Sequence, residues 1–118
     1  MQLTYLSSAA VLIKDQDSSI LCDPWFIDGE YYGSWCHYPP CTIKLDELNN
    51  VDGIFITHIH PDHFSVKTLE KMNKQIPIFI HKFHYNFLKK SIENLGFNVI
   101  EVEHNKRVNI KKNLHIRI

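Results

Sequence analysis

The chain of 118 residues holds no apolar run long enough to cross a bilayer, for which about 20 residues are needed. Its opening stretch, MQLTYLSSAAVLIKDQD, has neither the basic flank nor the long apolar centre of a secretory signal. An excess of one charge is also missing: 13 Lys and Arg face 13 Asp and Glu, a formal net charge of +0. That balance draws the chain neither to nucleic acid nor to an anionic membrane surface, and neither is expected as a partner. Three cysteines, Cys22, Cys36 and Cys41, cannot all pair within the chain and lack C-x-x-C spacing, which argues against a disulfide framework or a zinc ribbon. Reduced thiols in a cytoplasmic protein are the expectation. Repeats, linkers and low-complexity segments are absent, so a single domain over 1–118 accommodates the chain.

What is present reads as an α/β pattern. The short apolar runs LTYL, AAVLI and SILC, joined by turns such as KDQDSS, predict a β-meander ending at Asp23-Pro24. Residues 25–41, WFIDGEYYGSWCHYPPC, show no periodicity and predict a long irregular loop that its aromatics keep ordered. One helical turn is expected at 45–50. Ile54, Phe55 and Ile56 form a continuous apolar run, as in a strand buried on both faces. Val66, Leu69 and Met72 are spaced for a helix over 65–74, stopped by Pro77, and IPIFIH is a second buried strand. In YNFLKKSIENLG, the residues Phe87, Leu88, Ile92 and Leu95 share one helical face, with Gly96 as the stop, and NVIEVE follows as a third strand. Strand, helix, strand, helix, strand calls for parallel pairing with right-handed crossovers. Two last strands, RVNI and LHIRI, are expected on either side of KKN.

Where the run at 54–56 ends, HIHPDH places three histidines and an aspartate within six positions, 58–63. In extended backbone His58 and His60 point to the same side. Pro61 keeps His60 extended and turns the chain, bringing Asp62 and His63 round beside the first pair. The result is two ligand sets, His58 with His60 and Asp62 with His63, at the carboxyl end of a buried strand, where open α/β sheets place their sites. With eight histidines in 118 residues, chance supplies such a window about 0.002 times. Imidazole and carboxylate suit one or two divalent ions, zinc first, with manganese or iron as alternatives. A bound ion lowers the pKa of water to about 7 and so provides hydroxide at neutral pH. Hydrolysis of a small-molecule ester, lactone, phosphoester or amide is the reaction this supports, with Asp62 assigned to catalysis as well as to the ligand set.

Asp23, closing the strand SILC, is placed to orient a ligand histidine from beneath. His81, at the end of the next strand, joins Trp25 and Trp35 of the aromatic loop as candidates for substrate contact, with His84 beside them. A surface or capping role is the plainer account of the two histidines, and a small core pinning the loop is the plainer account of the aromatics. Two other functions compete: an iron-dependent redox enzyme using the same cluster, and a non-catalytic domain that binds a nucleotide sugar or similar acidic ligand in the aromatic loop, with a structural metal.

THIHPDH after an apolar strand, preceded by a meander ending in LCDP, resembles the metallo-β-lactamase fold superfamily. The loop DPWFIDGEYYGSWCHYPP resembles more narrowly the CMP-N-acetylneuraminate hydroxylase-like branch and, more distantly, lactonases and phospholipase D-type hydrolases of that fold. The resemblance implies that His58, His60, Asp62 and His63 are metal ligands and that Asp23 is their structural support. It implies a four-layer αββα sandwich of two similar halves, of which this β-meander and βαβαβ unit form the first. A further His, a bridging Asp and a last His complete the family's site in its second half. The chain is therefore expected to be an N-terminal half, inactive alone and completed by further residues, by a second chain or by a homo-oligomer. The Rieske Cys-x-His and Cys-x-x-His pairs carried by the hydroxylase branch are absent here.

Overall fold

The computed structural model describes residues 1–111 and 114–118. Strands β1 (Gln2–Ser7), β2 (Ala10–Asp15) and β3 (Ser18–Cys22) form the expected antiparallel meander, turning at Ser8 (φ 48°) and Gln16 (φ 50°). Strands β4 (Gly53–Ile56), β5 (Ile78–His81) and β6 (Val99–Val102) extend it in parallel, giving the order β1-β2-β3-β4-β5-β6. Helices α1 (Val66–Lys71) and α2 (Phe87–Asn94) are the two crossovers, so the βαβαβ unit is as the apolar runs predict. A single 3₁₀ turn spans Leu45–Leu48. Among the described residues no helix is long and apolar enough to cross a membrane.

Register explains the core. Leu12, Leu21, Ile54 and Ile78 are successive partners across four strands and so share one face. Leu69 of α1 with Met72 at its C-cap, and Leu88 and Ile92 of α2, close over that face in one cluster. Alternate residues, Cys22, Phe55, Phe79 and Ile100, point to the other face. The hairpin of β7 (Arg107–Lys111) and β8 (Leu114–Arg117) lies against β3 there, and the expected KKN connection falls partly outside the described residues. Ile110 of β7 approaches Gly53, where Phe79 is also packed. Phe79 is consequently buried, but Phe55 lies beyond this cover and is half-buried, not enclosed on both faces as its apolar neighbours suggest.

Two helix expectations need correction. Helix α1 covers Val66–Lys71, not 65–74: Ser65 is its N-cap, with Oγ accepting from Thr68 N at 3.2 Å, and Met72 already turns extended (φ −88°, ψ 156°). The chain leaves the helix because other partners take its polar groups: Asn73 N donates to Asn49 Oδ1 at 3.0 Å and Lys74 Nζ to Leu69 O at 2.6 Å. Pro77 comes too late to be the stop. In α2 the burial of Leu88 and Ile92 follows the periodicity, and Gly96 at φ 89° terminates as expected. Phe87 does not follow it and is 68% exposed, although Leu88 beside it is buried.

Candidate metal centre

The site begins beneath the histidines. Asp23 follows β3 with φ 45°, and its N donates to Phe55 O at 2.9 Å, so β3 stays tied to β4 one residue past its end. That twist turns the carboxylate inward, where it is buried. Its Oδ1 accepts from Thr57 N and its Oδ2 from Thr57 Oγ1, both at 2.8 Å. The same Oδ2 lies 2.8 Å from His63 Nδ1. An acceptor-only carboxylate there assigns the proton to His63 Nδ1 and leaves Nε2 with a free lone pair.

Thr57 then reaches upward. With its proton given to Asp23, Oγ1 accepts from His58 Nδ1 at 2.9 Å, which leaves His58 Nε2 as the lone-pair nitrogen. That nitrogen stands 2.9 Å from His60 Nδ1. After His60-Pro61 the chain closes a turn, with His63 N and Phe64 N donating to His60 O at 2.9 and 2.7 Å. The turn returns the His63 ring to 4.1 Å from that of His58, while the His60 ring lies at 4.6 Å. Partial burial first, and then the neighbouring His63 and His60, hold the His58 imidazole below the ordinary histidine range despite Asp23 and Asp62. It is kept neutral, the form that binds metals.

The donors converge as two pairs, His58 Nε2 with His60 Nδ1, and His63 Nε2 with Asp62 Oδ2 at 3.5 Å. At 2.9 Å the first pair is at hydrogen-bond distance, His60 Nδ1 donating to the lone pair of His58 Nε2; on one zinc at about 2.0–2.1 Å two imidazole nitrogens stand roughly 3.3 Å apart, so His60 would give up that proton and the rings would open slightly. Among the described residues no three His, Cys, Asp or Glu side chains are disposed to hold one ion together. The donor types thus fit a divalent ion, and the pairs fall short of a full shell.

Thr57 is the site residue that motif reasoning misses: a strand-end threonine carries no signal of its own, and its part emerges only from the two oxygens and two rings around it. The expected contact residues scatter. Trp25 is buried, its Nε1 donating to Ile27 O at 2.8 Å and its ring 4.0 Å from that of His37. Trp35 stacks on Tyr31 at 5.1 Å. Among the described residues neither tryptophan has a ring contact or hydrogen bond with the cluster histidines. Trp25 belongs to the buried base of a loop that docks on α1, where Thr68 Oγ1 accepts from Phe26 N at 3.0 Å and Glu30 accepts from Ser65 Oγ at 2.6 Å, whereas Trp35 is exposed. His81 packs edge-on against Phe83, whereas His84 lines a cavity bordered by His58. Cys22, whose thiol burial and then Asp23 push up to about 11, stays protonated and is no ligand in this state.

Comparison with known proteins bears on the fold and the family. Cytidine monophosphate-N-acetylneuraminic acid hydroxylase of Xenopus laevis is 34% identical over 122 residues, covering 91% of this chain and 20% of that protein. Among solved structures, isothiocyanate hydrolase from Delia radicum gut bacteria superposes with TM-score 0.74 at 19% identity, over 92% of this chain and 43% of its own. CmlA, a diiron β-hydroxylase from Streptomyces venezuelae, superposes with TM-score 0.64 at 21% identity, over 91% of this chain and 21% of its own. The likeness to these two structures is one of fold, and the chain spans about a fifth of the length of the curated hydroxylase. The family profile of the beta-lactamase superfamily domain matches residues 2–116. The chain belongs to that superfamily.

Proposed function

We propose that this chain forms the metal-binding first half of a metal-dependent hydrolase acting on a small-molecule ester, lactone, phosphoester or amide. The observation that carries the reading is the paired convergence of lone-pair nitrogens, His58 Nε2 on His60 and His63 Nε2 on Asp62, above one buried carboxylate. His58 and His60 would hold one divalent ion, zinc first, and Asp62 with His63 a second. Such an ion, when bound, lowers the pKa of water to about 7 and makes a nucleophile available without a strong base. The chain's own part is positional: Asp23 and Thr57 fix the tautomers of His63 and His58, and Asp62 is placed to accept a proton beside His63. Four donors over two ions leave each short of the usual four ligands, so further donors are required, from additional residues or a second chain. We also place the protein in the cytoplasm, where its three free cysteines stay reduced.

A second reading has one specific support, the 34% identity to a hydroxylase: the same residues hold iron and the reaction consumes oxygen. Metal analysis of the intact protein, with assays of ester, lactone, phosphoester and amide cleavage beside oxygen uptake, separates the two. Hydrolysis with zinc supports the first; iron with oxygen uptake and no hydrolysis overturns it. Replacing His58 and His60 together by alanine is expected to weaken metal affinity about 100-fold or more. Unchanged stoichiometry and affinity in that double variant would remove the site itself.

A further inference from the structure

Between β5 and α2 the chain sets Phe83, His84 and Tyr85 in a row, followed by Phe87 at the first helical position. With His58 and Ile59 they line a cavity of about 360 Å³. Phe83, Tyr85 and Phe87 are 39%, 80% and 68% exposed, and none of the three belongs to the helix-covered core. Phe87 is the telling one, since helical spacing alone would bury it with Leu88 and Ile92. Two rings are pre-set by histidines: His81 meets Phe83 edge-on at 5.2 Å and His84 meets Tyr85 edge-on at 4.8 Å.

Chemistry narrows the occupant. The cavity volume lies in the range of about 300–1,000 Å³ typical of small-molecule sites. Among the described residues no Lys, Arg, Asp or Glu side chain lines it. A phosphate or carboxylate held there would lose water without gaining a counter-charge, whereas a flat apolar group would cover rings that now face solvent. The groove is also continuous with the candidate centre, because His58 borders it and reaches His60 at 2.9 Å on its other side.

We propose that this groove is the substrate's apolar subsite and takes an uncharged aromatic or flat alicyclic group attached directly to the bond that is cleaved. The subsite stands on the cavity alone; what happens at its His58 end rests on the hydrolase reading. The test uses two probes on the intact protein. Binding of 2-naphthol to metal-free protein, followed by calorimetry, is expected to be saturable and at least five-fold weaker in Phe87→Ala and in Tyr85→Ala, both at exposed positions outside the core. Absent binding, or equal affinity in wild type and both variants, overturns the subsite. With metal added, 2-naphthyl acetate is expected to show a KM at least five-fold higher in both variants, with kcat little changed. Naphthol binding that depends on these rings without ester cleavage upholds the subsite and removes an aryl ester as the substrate, leaving lactone, phosphoester and amide cleavage to the assays above. Cleavage with an unaltered KM does the reverse.

Discussion

His37 in the aromatic loop and His63 at the rim of the sheet each give one ring nitrogen to an aspartate, Asp28 and Asp23 respectively. In the loop the histidine side chain is 5% exposed and the aspartate 49%; at the rim the histidine is 22% exposed and the aspartate 6%. The second nitrogen follows suit. His37 Nε2 is spent on Trp25 O at 3.1 Å, whereas His63 Nε2 faces outward to Asp62. Hydrogen bonds from the His37 backbone N–H, and then from its ring, hold the Asp28 carboxyl below the usual carboxylate range. The same pair of residues thus makes a clasp when the imidazole is inside and a ligand mount when the carboxylate is inside.

The contrast is broken most sharply at Asp23. Asp23→Ala removes the acceptor of Thr57 N, Thr57 Oγ1 and His63 Nδ1 together. A stability loss of about 1–3 kcal/mol is expected from three part-buried hydrogen bonds lost together, and a metal affinity about 10–100-fold weaker from the freed imidazole. Denaturant unfolding and metal titration of the one variant measure both. His37→Ala is the counterpart: a loss of about 1–2 kcal/mol, from its hydrogen bonds and its packing on Trp25, with metal affinity unchanged. Equal losses of metal affinity in the two variants would erase the distinction drawn between them.

A third aspartate, at the amino end of the sheet, sharpens it by being a pin alone. Asp52 accepts from Ser19 N at 2.8 Å and pairs with Lys111 at 2.9 Å. Burial pushes its carboxyl up, but the Lys111 and Ser19 contacts outweigh this and leave it lowered. A carboxyl lowered on folding stabilises above its unfolded pKa, and that contribution fades as pH falls through the lower folded value. The stability gap between wild type and Asp52→Asn is therefore expected to be under about 1 kcal/mol near neutrality, discounted for solvent screening. It should close below the ordinary carboxylate range. An acid titration of both proteins by circular dichroism reads this, and a gap that widens as pH falls would contradict it.

Element order was legible because short apolar runs, broken by Asp-Pro and Gly96, leave few alternatives to meander and crossovers. The H-x-H-x-D-H turn was legible for the same local reason: its side chains meet within six residues. What escaped depends on partners far along the chain. Thr57 takes its part from Asp23, 34 positions away, and the early end of α1 depends on Asn49, 24 positions from Asn73. The exposure of Phe87 escaped as well, since periodicity tells which residues share a stripe but not how far the cover over that stripe extends.

A side chain at Gly53 would set its Cβ 2.7 Å from Cε2 of Phe79 and 3.5 Å from Cγ2 of Ile110, so the Phe79 ring would have to move. The root of β4 is therefore wedged between a neighbouring strand and the hairpin, while its tip carries the imidazoles. Any replacement at the root must therefore displace the Phe79 ring from under the hairpin, so the packing of the sheet's second face hangs on a position without any reactive group.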